Sequence, residues 1–232
     1  FFTIIPIPNI PMPKRAIPAK NKAAIKSPVA SFVERLWEFH AQHRRNNMPW
    51  RNTRDPYKIL LSELMLQQTQ VSRVLQKYDE FLIKFPNLKA VHEANMADIL
   101  RVWKGLGYNR RAYFIKRIAD TLAPSPSSPT SHTAKPFIFP NRYEDLVKLP
   151  GIGQSTGGAL VAFAFAEKTG EKIPFIETNI RLVLIHQFFA PSQASGAAAK
   201  ERSIDDKEIR AKLEECLAYI EPHDIREFYY AL

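Results

Sequence analysis

Cysteine is nearly absent from this 232-residue chain, with Cys216 the only one. A disulfide framework and an all-cysteine metal site are therefore excluded within these residues, and such usage fits a reducing compartment. Long hydrophobic runs are missing as well. No stretch approaches the roughly 18 to 20 apolar residues of a membrane span. The apolar opening FFTIIPIPNIPMP is cut by Pro6, Pro8, Pro11 and Pro13, which spoils the core of a signal peptide. Strand-like alternation of apolar and polar residues is scarce throughout, and no internal repeat is found. The chain reads as a soluble intracellular protein of the cytoplasm and nucleoid, or of the nucleus in a eukaryote, and as a monomer.

What is present is an ordinary globular composition, 45% hydrophobic and 24% charged, in a chain long enough to bury a sizeable core. Lys and Arg total 33 against 23 acids, a formal charge of +10 that favours a polyanionic partner, either nucleic acid or an anionic membrane surface. Half of that excess lies in residues 1–30, which hold five bases, no acid and six of the 18 prolines. That segment reads as a disordered basic tail. Within the remainder, residues 101–117 carry Arg101, Lys104, Arg110, Arg111, Lys116 and Arg117 without a single acid.

Helical periodicity dominates beyond the tail. A first amphipathic segment runs from about Ser31 to Arg45, with Phe32, Leu36 and Phe39 on one face. A second starts at Pro56 behind the capping Asp55 and continues to about Gln70. A third carries Val74, Tyr78, Phe81 and Leu82. Further helices read over 97–103, 110–122, 142–149, 155–167, 178–189 and 206–220. The fold class is all-α, with surface insertions at 123–141 and 190–203, both rich in small polar or proline residues.

Three features can carry chemistry. LPGIGQST (149–156) sets two glycines between a helix's last apolar residue and the start of the next helix, a helix-hairpin-helix signal. A glycine turn lets backbone approach a phosphate, and N–H groups at a helix start point at the anion. An ordinary interhelical turn would look the same. Glu63 lies inside ILLSELML, a strongly apolar helix, with Gln67, Gln70 and Val74 following on its face; burial there would raise its pKa and let it donate a proton near neutrality. The competing reading is a solvated polar stripe. Glu177, in IPFIETNI, precedes a helix that Thr178 or Asn179 can cap, and the helix start would favour its ionised form. Two carboxylates whose environments separate their pKa values suit glycosidic cleavage through an oxocarbenium-like state.

The blocks MPWRNTRDPYKILLSELMLQQTQVSRV (48–74), WKGLGYNRRA (103–112), LPGIGQSTGGALVAFAF (149–165) and IETNIRLVL (176–184) resemble, in this order, the motifs of the helix-hairpin-helix base-excision DNA glycosylases, and among these the adenine DNA glycosylases. The resemblance covers most of residues 31–232 and leaves out the tail. It implies a two-lobed fold: a helical barrel over residues 56–166, and a second lobe from 31–55 plus 167–232. It further implies that Glu63 protonates the adenine ring and helps activate water, with Glu177 as the second catalytic carboxylate. DNA would be met by Gln67, by Gln68 as the wedge that fills the emptied stack, by Tyr108, Arg110 and Arg111, and by a phosphate-gripping hairpin of Leu149, Gly151, Gly153, Gln154 and Ser155. The implied partner is double-stranded DNA with a mispaired or damaged base. Ser155 falls where bifunctional relatives carry a Schiff-base lysine, so the implied enzyme is monofunctional.

Three departures stand out. Glu177 replaces the family's usual Asp, a shift of about one C–C bond in the charge. Asn109 replaces the second tyrosine usual in the adenine branch. The four-cysteine loop for a [4Fe-4S] cluster would lie past Leu232, so no cofactor is evident within the chain except a monovalent cation at the hairpin, and no metal ligands are identified. His40, His43, His132, His186 and His223 have no metal-ligand spacing, and Trp37, Trp50, Trp103 and Cys216 read as core. Two other functions fit the same motifs: a pyrimidine- or mismatch-directed glycosylase of the endonuclease III branch, for which Asn109 speaks, and a catalytically silent DNA-binding module, which Glu177 keeps open.

Overall fold

Capping chemistry sets the first helix boundaries. Ser27 accepts a hydrogen bond from the Ala30 N–H, so α1 starts early, at Pro28–His43, inside the stretch assigned to the tail. Asp55 accepts from the Tyr57 N–H at 2.9 Å and Pro56 occupies the first turn of α2 (Pro56–Leu66), as the sequence indicates. The computed structural model describes residues 27–44, 47–124, 136–189 and 204–232; most of the tail, most of the 123–141 insertion including His132, and the 190–203 insertion lie outside the described residues.

The chain continues through α3 (Val71–Lys84), α4 (Leu88–Glu93), α5 (Met96–Trp103), α6 (Arg110–Leu122) and α7 (Tyr143–Leu146). The next segment is α8 (Gln154–Leu160), a wider π-type turn over Val161–Phe165, and α9 (Ala166–Thr169). It is followed by α10 (Thr178–Phe188), α11 (Asp206–Leu217) and α12 (Ile225–Ala231). The described residues contain no strand, and no helix among them is long and apolar enough to cross a membrane. α4 escapes sequence reading because six residues do not complete two helical turns of pattern.

Two hydrophobic cores result. One gathers residues from Trp50 to Phe165, including the fully buried Leu60, Leu61, Leu64, Phe81 and Trp103. The other joins α1 to α10, α11 and α12 through Val33, Leu184, Leu213, Cys216 and Phe228. The segment from α8 through α9 serves both: Leu160, Val161 and Phe165 enter the first core while Ala159, Ala162 and Ala166 enter the second. A helix apolar on all sides is one that is enclosed on all sides, which explains GGALVAFAFA. Its glycines permit the close packing: a Cβ on Gly157 would meet Val147 at 2.7 Å, and one on Gly158 would meet Phe175 at 2.6 Å. Trp50, Trp103 and Cys216 are core residues as expected, whereas Phe39 is 56% exposed and stacks on His43, not on the core.

Candidate active site

α2 does not run on to Gln70. It stops at Leu66, and Gln68 takes a left-handed backbone with φ of 54°. Gln67, Gln68 and Gln70 are exposed in the turn before α3, so they do not continue Glu63's helical face. Gln67 reaches across to donate to Thr156 Oγ1 on α8 at 3.5 Å. The helix ends here because a distant cation takes its last carbonyls: Arg111 Nη1 donates to the carbonyl oxygens of Leu64 (2.7 Å), Met65 (2.9 Å) and Gln67 (2.6 Å). Cations at a helix C-terminus are favoured by the carbonyl dipoles.

Arg111 itself is 4% exposed. The expectation that it contacts DNA phosphate is therefore corrected, since its guanidinium is occupied by the protein. The rest of the basic stretch divides similarly. Arg101 pairs with Asp98, and Lys116 with Asp120 at 2.7 Å, while Lys104, Arg110 and Arg117 are exposed. Tyr108 is 64% exposed and, like Gln68, holds a left-handed backbone, φ 45°; these two are the only non-glycine residues with positive φ among the described residues.

Glu63 lies near the C-terminal end of α2 between buried Ser62 and Leu64, with only part of its surface open. Burial, and then the negative charge of Glu177, push its carboxyl up to about 8. The solvated-stripe reading of Glu63 is thus replaced by a carboxyl that keeps its proton at neutral pH. Glu177 is the N-cap residue of α10, so the helix starts one residue earlier than a Thr178 cap would give and two earlier than an Asn179 cap, and no side chain caps it. Its side chain keeps more contact with solvent than that of Glu63. Even so, its pKa is raised, the reverse of the expected helix-start effect, because loss of hydration outweighs the dipole of the helix. Glu63 thus senses the charge of Glu177, whereas the upward shift of Glu177 comes from its own burial.

The hairpin has its apolar residues inside and its glycines outside. Leu149 is buried, with its N–H bonded to the Leu146 carbonyl and its carbonyl accepting from the Ile152 N–H, both at 3.1 Å. Gly151 has φ of 78°, and any Cβ there would collide with the Phe114 ring, so glycine is required twice over. Gly153 and Gln154 are exposed at the start of α8, and Ser155 is half-buried. The first N–H groups of that helix lack intrahelical acceptors and no side chain caps them. No acidic side chain occurs between residues 146 and 166, so a monovalent cation there would be held by neutral oxygens. Cys216 is buried in α11, and no group of three or more His, Cys, Asp or Glu residues suited to a metal occurs among the described residues.

Sequence reasoning missed Tyr230. Its ring stacks on Phe163 at 4.7 Å and lies under the guanidinium of Arg51 at 4.3 Å and that of Arg226 at 5.5 Å. Burial raises its pKa against the opposing charges of Arg226 and Arg51, and the charge of Glu63 adds to the rise, so Tyr230 lies within electrostatic reach of Glu63. REFYYAL supplies Arg226 one helical turn before Tyr230, but the contacts with Phe163 and Arg51 come from residues more than 60 positions away and leave no local pattern.

Residues 61–219 match the family model described as HhH-GPD superfamily base excision DNA repair protein. The adenine DNA glycosylase of Buchnera aphidicola subsp. Baizongia pistaciae is 36% identical over 157 residues, 68% of this chain and 41% of that protein. The adenine DNA glycosylase of Mycobacterium tuberculosis H37Rv is 35% identical over 144 residues, 62% of this chain and 43% of that one. The chain therefore spans half or less of the length of these curated relatives. Among solved structures, a thermostable thymine-DNA glycosylase superposes with a TM-score of 0.67 at 25% identity, covering 88% of this chain and 83% of that one. A trapped endonuclease III–DNA covalent intermediate gives 0.59 at 15% identity over 86% and 80%, a likeness of fold alone.

Proposed function

Because the chain belongs to the HhH-GPD superfamily of base excision DNA repair proteins, we propose that it is a monofunctional DNA N-glycosylase that hydrolyses the glycosidic bond of adenine mispaired with 8-oxoguanine or guanine in duplex DNA. The observation that carries this reading is the Glu63–Glu177 pair, with Glu63 protonated up to about pH 8.

The chemistry follows from the pair. A stacked adenine cannot be reached, so the nucleotide is extruded, with Gln68 and Tyr108 standing in the emptied stack. Glu63 gives its proton to a ring nitrogen of adenine. The C1′–N9 bond then breaks with its electron pair leaving on a neutral base. The deoxyribose becomes an oxocarbenium ion, whose positive charge the ionised Glu177 stabilises. Glu63, now a carboxylate, takes a proton from water as the oxygen bonds to C1′, which restores the acid and leaves an abasic site. Ser155 has no amine to form a Schiff base, which supports hydrolysis without strand cleavage. Lys104, Arg110, Arg117 and the glycine hairpin would hold phosphates.

A pH profile checks the acid's assignment. Glu63 donates only while protonated, and its raised pKa keeps it so below about 8. The single-turnover rate is therefore expected to fall as pH rises through about 8, and to fall by about tenfold for each further unit. A rate that climbs through that range would make Glu63 a base from the outset. The function itself is tested with duplexes carrying A opposite 8-oxoguanine, A opposite G, and T opposite G, each treated with alkali to reveal abasic sites. Release of T alone would transfer the assignment to the thymine-directed activity of the structural neighbour.

A further inference from the structure

Arg111 is buried, cationic and without a carboxylate partner among its hydrogen bonds. Besides the carbonyls that end α2, its Nη2 donates to Thr69 Oγ1 (3.1 Å) and to the carbonyls of Leu106 (2.9 Å) and Gly107 (3.0 Å), and Nε donates to the Tyr108 carbonyl at 3.4 Å. Nη1 thus holds the end of α2 and the first of two loops, Nε holds the second, and Nη2 bridges both. The first, 67–70, presents Gln68; the second, 104–109, presents Tyr108. These loops hold both of the left-handed non-glycine residues found among the described residues, a conformation unfavourable for a residue with a Cβ that persists only where surroundings impose it. Secondary contacts run the same way: Thr69 Oγ1 donates to the Leu106 carbonyl at 3.4 Å, and Arg73 Nη1 to the Gly105 carbonyl at 3.1 Å. The Arg111 guanidinium also lies over the Tyr108 ring, 5.5 Å from its centroid.

From this geometry we infer that Arg111 is a positioning residue that locks the Gln68 and Tyr108 loops together, fixing the spacing of two exposed side chains that enter the opened base stack as one unit. The guanidinium suits the task because it is planar and has five donors in a rigid fork. Lysine has the charge but not the fork, so Arg111→Lys should leave the loops attached at one point rather than along both. The inference rests on the proposed base-extruding function, and its test reads stack opening, not base release.

The experiment places 2-aminopurine beside a mispaired adenine in a duplex and follows its fluorescence on saturation with protein. The full chain is compared with Arg111→Lys, with Gln68→Ala/Tyr108→Ala, and with all three changes together. Wild type should brighten the probe severalfold, and Arg111→Lys should lose most of that gain while binding undamaged duplex within about twofold of wild type. In the Gln68→Ala/Tyr108→Ala background, Arg111→Lys should have no further effect, because residues acting as one unit are non-additive. A merely structural arginine would lower binding to undamaged duplex together with the fluorescence gain. That outcome overturns the proposal, as does a folded Arg111→Lys protein that opens the stack like wild type, or a wild type that binds without opening it. If Arg111→Lys melts below the assay temperature, Thr69→Val removes one clamp contact, and it should lower the fluorescence gain in the same direction. A Thr69→Val protein equal to wild type then overturns the proposal. Failure of wild type to release base in the alkali assay, with stack opening intact, would instead sink only the proposed function.

Discussion

Glu63→Gln is expected to lower the rate of adenine release by about 10²- to 10⁴-fold, the range general acid catalysis supplies, while duplex affinity stays within a few-fold of wild type. Glutamine keeps the shape and burial of the side chain and removes the proton. Single-turnover excision and a binding titration on the same mispaired duplex check both halves. The variant also has a stability signature of known sign. A carboxyl whose folded pKa is raised contributes stability that is fully present below its unfolded pKa and lost as pH rises through the folded value. For Glu63 that window runs from the ordinary value of 4.5 to about 8. Glutamine has no such dependence, so Glu63→Gln should gain stability relative to wild type across this window, read as melting temperature at pH 5 and pH 8. A variant that loses activity because it unfolds would lose stability at both pH values.

Glu177→Gln is expected to cost about 10²- to 10³-fold in the same rate, the magnitude found when one group stabilising transition-state charge is removed. The carboxylate does its work only when positive charge appears on the deoxyribose, so substrate affinity should be nearly unchanged. The same substitution removes a negative charge that raises the Glu63 pKa, so the alkaline limb of the pH profile should move to lower pH. A Glu177→Gln protein with wild-type rate would leave the second carboxylate without a role. Glu177→Asp separates position from charge. It draws the carboxylate back by about one C–C bond, and a rate within tenfold of wild type would show that the site tolerates either length, whereas a loss near 100-fold would show that this fold is fitted to the longer acid.

Much of this architecture could be read from local pattern. Asp55 and Pro56 announce the start of α2, the 3.6-residue period of Val74, Tyr78 and Phe81 announces α3, and 155–167 reads as a helix, whose enclosure by two cores only the structure shows. What could not be read depends on partners distant in sequence. The period of α2 continues to Gln70, yet the helix stops at Leu66 because Arg111, on α6, takes its last carbonyls. Arg111 looks like a phosphate ligand in WKGLGYNRRA because a sequence shows charge and hides burial. Glu63 and Glu177 were legible as carboxylates in apolar surroundings, but the direction of the Glu177 shift was not, since helix-start dipole and desolvation oppose each other and only the packed structure decides between them. Tyr230 shows only its neighbour Arg226 in its own segment, while the partners that hold its ring, Phe163 and Arg51, are distant in sequence.

The central claim is that a protonated Glu63 and an ionised Glu177 together release adenine from a mispair. Single-turnover excision at neutral pH, on a duplex with one adenine opposite 8-oxoguanine and developed with alkali, tests it most directly. Wild type should give one alkali-dependent break at that adenine and no break without alkali, and Glu63→Gln should give none. Duplex that remains intact after alkali at every concentration of well-folded wild-type protein would contradict it.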